Sequence, residues 1–256
     1  IIAVDPDADR CALAVPDPTS ETGWSPLSGD QIGSLLGEFL AERGMTGSLA
    51  NSIVSSRLLS RIARAHGLEH HTTLTGFKWI ARAPGLGFGY EEAIGFCPDP
   101  AHVRDKDGIA TSVVAASLVA ALKAQGRSVW DELERLARLH GLHVSSPLTF
   151  RVEEIEQIAS GMARLRAQPP SVLAGSPVVE VSDLSQGYRG LPPTDGVLVL
   201  TEAGDRVIAR PSGTEPKLKC YLEVILPVAE GEPLPWEQAR ERLDSIKGAF
   251  AEIIGL

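Results

Sequence analysis

The sequence predicts an α/β protein in successive parts: a mixed α/β domain, then an α+β domain built on an antiparallel sheet. Three observations predict it. Strand-like and helix-like segments alternate through the first half of the chain. Later, strand candidates follow one another with only turns between them, framed by two helices. And 43% hydrophobic residues over 256 positions supplies enough apolar material for more than one core.

The chain opens IIAVDPDADRCALAV, two apolar strand-forming runs around an acidic bend. Ile1 stands without an initiator methionine at the start of a strand that needs neighbours, which predicts a fragment. From Asp30 to Arg43, apolar Ile32, Leu35, Leu36, Phe39 and Leu40 recur at helical spacing, and Gly44 stands where the helix stops. LANSIVSS at 49–56 reads as a strand, SRLLSRIARAHG as a helix ending at Gly67, and LEHHTTLTG as a strand with His70 and His71 on its surface. After a glycine-rich segment, Asp107 to Ala124 reads as a mostly apolar, buried helix, Val129 to Leu139 as another, and Gly141 to Pro147 as a linker. A helix from Glu153 to Arg166 places Ile155, Ile158, Ala159, Met162 and Leu165 on one face. VVEV, GVLVL, DRVIAR and KLKCYLEVIL are strands, with turns at Thr194 to Gly196 and Glu202 to Asp205, and a helix from Trp236 to Ile253 closes the chain.

Composition excludes several classes. Cys11, Cys97 and Cys220 are odd in number and lack CxxC spacing, so neither a disulfide framework nor a zinc site is expected, and a reducing compartment fits. The longest apolar stretch, GIATSVVAASLVAAL at 108–122, is too short and too rich in alanine and serine to span a bilayer. The expectation is a soluble, cytoplasmic protein with no membrane partner. A formal net charge of -9 argues against broad nucleic-acid binding and leaves room for a local pocket for a small anion.

Asp5, Asp7 and Asp9 lie at alternate positions within one short bend. Like charges this close disfavour one another unless a cation, a proton or fixed donors compensate. Hard oxygen ligands suit magnesium or calcium, and spacing does not separate the two. An EF-hand is excluded, because its required glycine and glutamate positions hold Arg10 and Pro16. The plain alternative is a solvated Asp/Pro turn. RPSGTEPK at 210–217 follows a strand; its small residues allow an anion nest, with Arg210 able to hold phosphate bidentately, against the alternative of an ordinary hairpin turn. TGFKWI at 75–80, YEEAIGF at 90–96 and RDKDG at 104–108 add Glu91 and Glu92 as acceptors for hydroxyls, and Lys78, Arg104 and Lys106 as cations or proton-transfer groups. Each pair also reads as surface decoration.

The order of these five motifs resembles the α-D-phosphohexomutase superfamily, the phosphoglucomutases and phosphomannomutases. YEEAIGF, TLTGFKWI and VRDKDGIA look most like its branch containing phosphopentomutase. The resemblance implies a mixed α/β sugar-binding domain at 21–142, an α+β phosphate-binding domain at 143–256, and residues 1–20 as the end of a preceding metal-binding α/β domain. It implies Asp5, Asp7 and Asp9 as Mg²⁺ ligands, and Arg10 and Lys106 as catalytic residues. Gly76, Lys78, Glu91 and Glu92 would meet the substrate, and Arg210, Ser212, Gly213, Thr214 and Lys217 would hold its phosphate. The implied activity is an intramolecular phosphotransfer between C1 and C6, or C5, of a sugar phosphate, through a phosphoserine and a bisphosphate, with a sugar 1,6-bisphosphate as activator. Two departures stand out. No serine here is followed by histidine, so the Thr-Ala-Ser-His-Asn-Pro loop is absent; the implied partner is a missing N-terminal catalytic domain, without which this chain is inactive. Ala93 replaces the serine of hexose-specific relatives, leaving glucose, mannose and pentose phosphates open.

Two other readings compete. An apolar strand before Asp-x-Asp also suggests a haloacid-dehalogenase-like phosphatase, but Gly204-Asp205 continues as RVIA and lacks the later acid pair. The other is a sugar-phosphate-binding module without chemistry.

Overall fold

The computed structural model describes residues 1–212 and 215–255; the expected phosphate-binding residues Gly213 and Thr214 lie outside them. The chain divides into two units, Ile1–His140 and Gly141–Leu256. The mixed α/β part followed by an antiparallel α+β part is the organisation the sequence predicts.

In the first unit, β1 (Ile2–Val4), β2 (Cys11–Pro16) and β3 (Trp24–Pro26) form a small antiparallel sheet. α1 (Gly29–Glu42) starts at a capping box in which Ser28 and Gln31 satisfy each other's backbone N–H groups. There follow β4 (Ser48–Ser52), α2 (Leu58–Ala65), β5 (His70–Thr73), α3 (Phe77–Ile80), β6 (Leu86–Glu91), β7 (Gly95–Cys97), α4 (Gly108–Ala124) and α5 (Val129–His140). The sheet order is β5-β4-β6-β7, with β4 parallel to both β5 and β6 and β7 antiparallel to β6. Ile32, Leu36, Leu49, Leu59, Phe88 and Phe96 form its buried centre.

Some local readings need correction. The glycine-rich segment contains the β6–β7 hairpin. The LANSIVSS strand ends at Ser52, where serine hydroxyls and a Ser55 N–H to Ser52 carbonyl bond of 3.0 Å turn the chain. His70 is half-buried, bonded through Nε2 to Asn51 Oδ1 at 3.0 Å, and burial together with the charge of His71 pushes its pKa down to about 4. α4 is not buried all round: Ile109 is 66% and Val113 63% exposed, while Thr111, Ala115, Leu118 and Leu122 face the core. A continuous apolar run has no period from which the covered side could be read. No single helix among the described residues is long and apolar enough to cross a membrane.

In the second unit, β8 (Leu142–Arg151), α6 (Ile155–Ala167), β9 (Val172–Leu173), β10 (Ser176–Asp183), β11 (Val197–Thr201), β12 (Arg206–Pro211), β13 (Lys217–Leu226) and α7 (Trp236–Ile254) follow in order. All pairings in the sheet β8-β13-β12-β11-β10-β9 are antiparallel, and α6 and α7 pack on it and on each other. The expected linker at 141–147 is, beyond Gly141, the first half of β8, paired continuously with β13 from Leu142 opposite Leu226 to Arg151 opposite Lys217. Pro147 is tolerated because β8 is an edge strand. Ile155, expected on the apolar face of α6, is exposed in its first turn, while Ile158, Met162 and Leu165 are buried.

Candidate functional site

In an open sheet with parallel strands, side chains converge where successive connections leave in opposite directions, at the carboxyl ends of the strands. Here β4 leads by way of α2 to β5 on one side, and the chain then crosses back to β6 on the other. The switch point therefore lies between the ends of β4 and β6. Ser52 and Ser55 lie at the first end, and Glu91 and Glu92 at the second.

The acidic bend docks beside this point. Its fold is local: the Ala8 N–H bonds the Asp5 carbonyl at 2.9 Å, and the Arg10 N–H bonds Asp5 Oδ1 at 3.0 Å. That backbone bond, with Arg10's charge, holds the Asp5 carboxyl below its usual range. Arg10 Nε stands 3.0 Å from Asp5 Oδ2 and 3.6 Å from Asp9 Oδ1. Two contacts fasten the bend to the unit. Cys11 N–H donates to the Ile94 carbonyl at 3.1 Å, and Gly108 N–H donates to the Ala8 carbonyl at 3.0 Å. A Cβ on Gly108 would lie 2.6 Å from the Arg10 carbonyl oxygen and 2.7 Å from that of Ala8, so only glycine at the start of α4 admits the bend.

Lys106 and Glu91 meet around Gly95. Glu91 pairs with Gly95 across the hairpin, and a Cβ on Gly95 would lie 2.5 Å from Lys106 Cδ and 3.1 Å from Glu91 Cγ. Lys106 Nζ stands 3.0 Å from Asp9 Oδ2, 3.5 Å from Asp105 Oδ1 and 5.3 Å from the Phe77 ring centre. Burial opposes its charge, but the Asp9 hydrogen bond and the nearby carboxylates outweigh that and raise its pKa. Burial raises the Glu91 pKa against the opposing pull of Lys106 and Arg10.

The other expected residues are placed differently. Glu92 turns inward: its Oε2 accepts hydrogen bonds from Ser52 Oγ and Ser55 Oγ, each at 3.1 Å, and burial raises its pKa. Gly76 has φ +104° and leads into α3; Lys78 is exposed, with Nζ 5.8 Å from the Trp79 ring centre. Of that motif, Phe77 lies beside Lys106. In the second unit, Arg210 is the last residue but one of β12 and Lys217 begins β13, and the Ser212 N–H closes the hairpin on the Lys217 carbonyl at 2.8 Å. Lys217 pairs with Glu215, whereas no acid among the described residues pairs with Arg210.

The bend fits a hard divalent cation. One carboxylate oxygen from each of Asp5, Asp7 and Asp9 lies within 4.8 Å of the others, and Asp9 Oδ1 is buried without a hydrogen-bond partner. Such an oxygen is open to a cation as its ligand.

Carboxylates and a lysine brought together at the strand ends are the layout of an enzyme site for a small polar molecule. Comparison with known proteins makes this specific. Residues 28–139 match the family model for phosphoglucomutase/phosphomannomutase alpha/beta/alpha domain III, and residues 149–251 match its C-terminal domain. The chain belongs to the phosphoglucomutase/phosphomannomutase family. It is 44% identical to a protein named probable phosphomannomutase from Haemophilus influenzae, over 87% of this chain and 45% of that one. It is 31% identical to the phosphopentomutase of Mus musculus, over 98% of this chain and 45% of that one. The crystal structure of parafusin, a Paramecium phosphoglucomutase, superposes with a TM-score of 0.70 at 19% identity, over 100% of this chain and 46% of the other, which shows the shared fold. The chain thus spans less than half the length of the relatives it matches. Family membership also removes the dehalogenase-like reading.

Proposed function

We propose that this chain is the metal-, sugar- and phosphate-binding part of a Mg²⁺-dependent phosphosugar mutase, which moves a phosphoryl group between C1 and C6, or C5, of a sugar phosphate through a phosphoserine and a bisphosphate. The observation that carries it is the convergence of Asp9, with a buried oxygen that makes no hydrogen bond, Lys106 and Glu91 at the switch point.

In this reading Asp5, Asp7 and Asp9 hold Mg²⁺, which when bound supplies Lewis-acid polarisation of a phosphoryl oxygen. Arg10 adds a guanidinium beside the transferring group, and transfer depends on such positioning and charge. Glu91 accepts from sugar hydroxyls, and Lys106 serves as the proton donor and acceptor of the site. Gly76 and Lys78 line the approach. In the second unit, Arg210, Ser212, Gly213, Thr214 and Lys217 hold the ester phosphate. A segment outside this chain carries the phosphoserine, so the chain alone is inactive; a sugar 1,6-bisphosphate is the activator, and the setting is cytoplasmic. Ala93 offers no hydroxyl to the sugar, so a pentose phosphate joins glucose and mannose phosphates as a candidate substrate.

The test is turnover of the full-length protein with glucose 1-phosphate, mannose 1-phosphate and ribose 1-phosphate, primed with a bisphosphate. Asp7→Asn is expected to abolish activity and leave the fold intact. Activity within about tenfold of wild type would overturn metal-assisted transfer at this bend.

A further inference from the structure

The β6–β7 hairpin carries Glu91 and turns through Ile94, a β-branched residue at φ +58°. That left-handed conformation is disfavoured for such a side chain and persists only where the surroundings over-determine it. Three sets of contacts do so here. The start of α1 touches the turn: a Cβ on Gly29 would lie 2.1 Å from the Glu92 carbonyl oxygen and 3.0 Å from the Ile94 nitrogen. The Glu92 side chain is seated by the Ser52 and Ser55 hydroxyls, which lie 2.9 Å from each other. And Tyr90, fully buried and one residue before Glu91, donates its hydroxyl to Asp30 Oδ1 at 3.0 Å. The same oxygen accepts the Ser56 N–H at 2.7 Å. Asn51 extends the network, with Nδ2 donating to the Ser56 carbonyl at 2.8 Å. The polar ends of α1, β4 and β6 are thus cross-linked behind Glu91.

We propose that Glu92 and Asp30 are positioning residues, which latch the hairpin to the β4 end and to α1 so that Glu91 stands beside Lys106. The proposal rests on the reading of Glu91 as the acceptor of substrate hydroxyls. It assigns Glu92 a role through its neighbour, distinct from the direct substrate contact expected of it.

The test is steady-state kinetics of the full-length enzyme, with each variant's melting temperature recorded. Glu92→Ala lowers kcat/KM about 30-fold, with KM raised as well as kcat lowered, because a displaced Glu91 meets the substrate poorly. A merely structural defect lowers the folded fraction and so kcat alone. Glu92→Gln, whose amide oxygen still accepts both serine hydroxyls, keeps at least about a third of the activity. In a Glu91→Ala background, Glu92→Ala costs less than about twofold more, since the group it positions is gone. Should Glu92→Ala not fold, Tyr90→Phe removes the hydroxyl that bonds Asp30 and Ser55→Ala the hydroxyl that bonds Glu92 and Ser52, and each is expected to lose about 3- to 10-fold in kcat/KM only while Glu91 is present. Additive losses, or Glu92→Gln as damaging as Glu92→Ala, overturn the latch alone. A Glu91→Ala enzyme with unchanged turnover overturns the parent reading and the latch with it.

Discussion

The first unit gathers three carboxylates in two places, and the two gatherings are resolved in opposite ways. In each, one oxygen per acid lies within 4.8 Å of the others. Glu38 and Glu42 on α1 and Glu132 on α5 enclose a guanidinium: Arg135 Nη2 lies 2.6 Å from Glu38 Oε1, 2.6 Å from Glu132 Oε1 and 3.0 Å from Glu42 Oε1. Arg127 and His66 add further partners to Glu132 and Glu38. The protein's own cations fill that cluster. In the acidic bend, Arg10 and Lys106 reach Asp5 and Asp9, yet Asp9 Oδ1 stays without a hydrogen bond and Asp7 stays exposed. Proximity of acids therefore does not by itself point to a bound cation; what separates the two gatherings is a buried oxygen that the protein leaves without a hydrogen bond.

The largest expected effect breaks the filled cluster. Arg135→Met leaves the buried carboxylates of Glu38 and Glu132 short of their main partner and should cost about 3 kcal/mol in chemical denaturation. A loss below about 1 kcal/mol would mean that Arg127 and His66 suffice. The cluster also has a pH signature. Burial opposes the Glu132 charge, but Arg135 outweighs it and lowers the Glu132 pKa from 4.5. The stability this contributes is present above that value and is lost as pH falls through the folded one, so wild type should lose more on acidification than Arg135→Met.

Next comes the docking of the bend. Gly108→Ala forces a Cβ against two backbone carbonyls, neither of which belongs to a flexible side chain. It should cost about 1–3 kcal/mol and abolish stabilisation by Mg²⁺. Gly95→Ala meets side-chain carbons of Lys106 and Glu91 instead, which are freer to move. Its loss in melting temperature should be the smaller of the two, while turnover of the full-length enzyme still falls at least about tenfold. If Gly95→Ala turns over normally, the meeting of Lys106 and Glu91 is dispensable.

A cation titration sharpens the contrast directly. With Mg²⁺ at ten times its dissociation constant, the intact protein should gain about 1.4 kcal/mol, read as a shift in melting temperature. Asp9→Asn should lose that gain and Glu42→Gln should keep it. The reverse pattern would move the metal to the helical trio.

What the sequence made legible follows from distance along the chain. The bend and the Arg210 hairpin are contiguous, so their chemistry shows in a few letters. Glu91 and Lys106 required the resemblance, since nothing in their spacing brings them around Gly95. The latch was invisible for the same reason: Asp30 meets Ser56 and Tyr90 from 26 and 60 residues away, and Glu92 meets Ser52 and Ser55 from 40 and 37. Three serines at and just past the end of a strand in a parallel pair, Ser52, Ser55 and Ser56, were the available signal. The fold was read correctly in outline, and errors fell where periodicity is weak, at the apolar α4 and at the Pro147 edge strand.

Glu92 represents a third way to keep an acid, and it predicts the smallest effect. No cation among the described residues pairs with it; two serine hydroxyls and its own backbone N–H are its donors, and burial raises its pKa. A carboxyl with a raised folded pKa binds its proton more tightly in the fold than in the unfolded chain. Its contribution is most favourable below the unfolded value of 4.5 and diminishes as pH rises through the folded one. Glu92→Gln removes that dependence, so its melting temperature relative to wild type should climb with pH, by a few degrees at most. Glu132→Gln should do the opposite, because the Glu132 charge is stabilised. Parallel curves for the two variants would mean that hydroxyls hold a buried carboxylate as firmly as a guanidinium does, and the distinction between filled and unfilled acids would lose its physical basis.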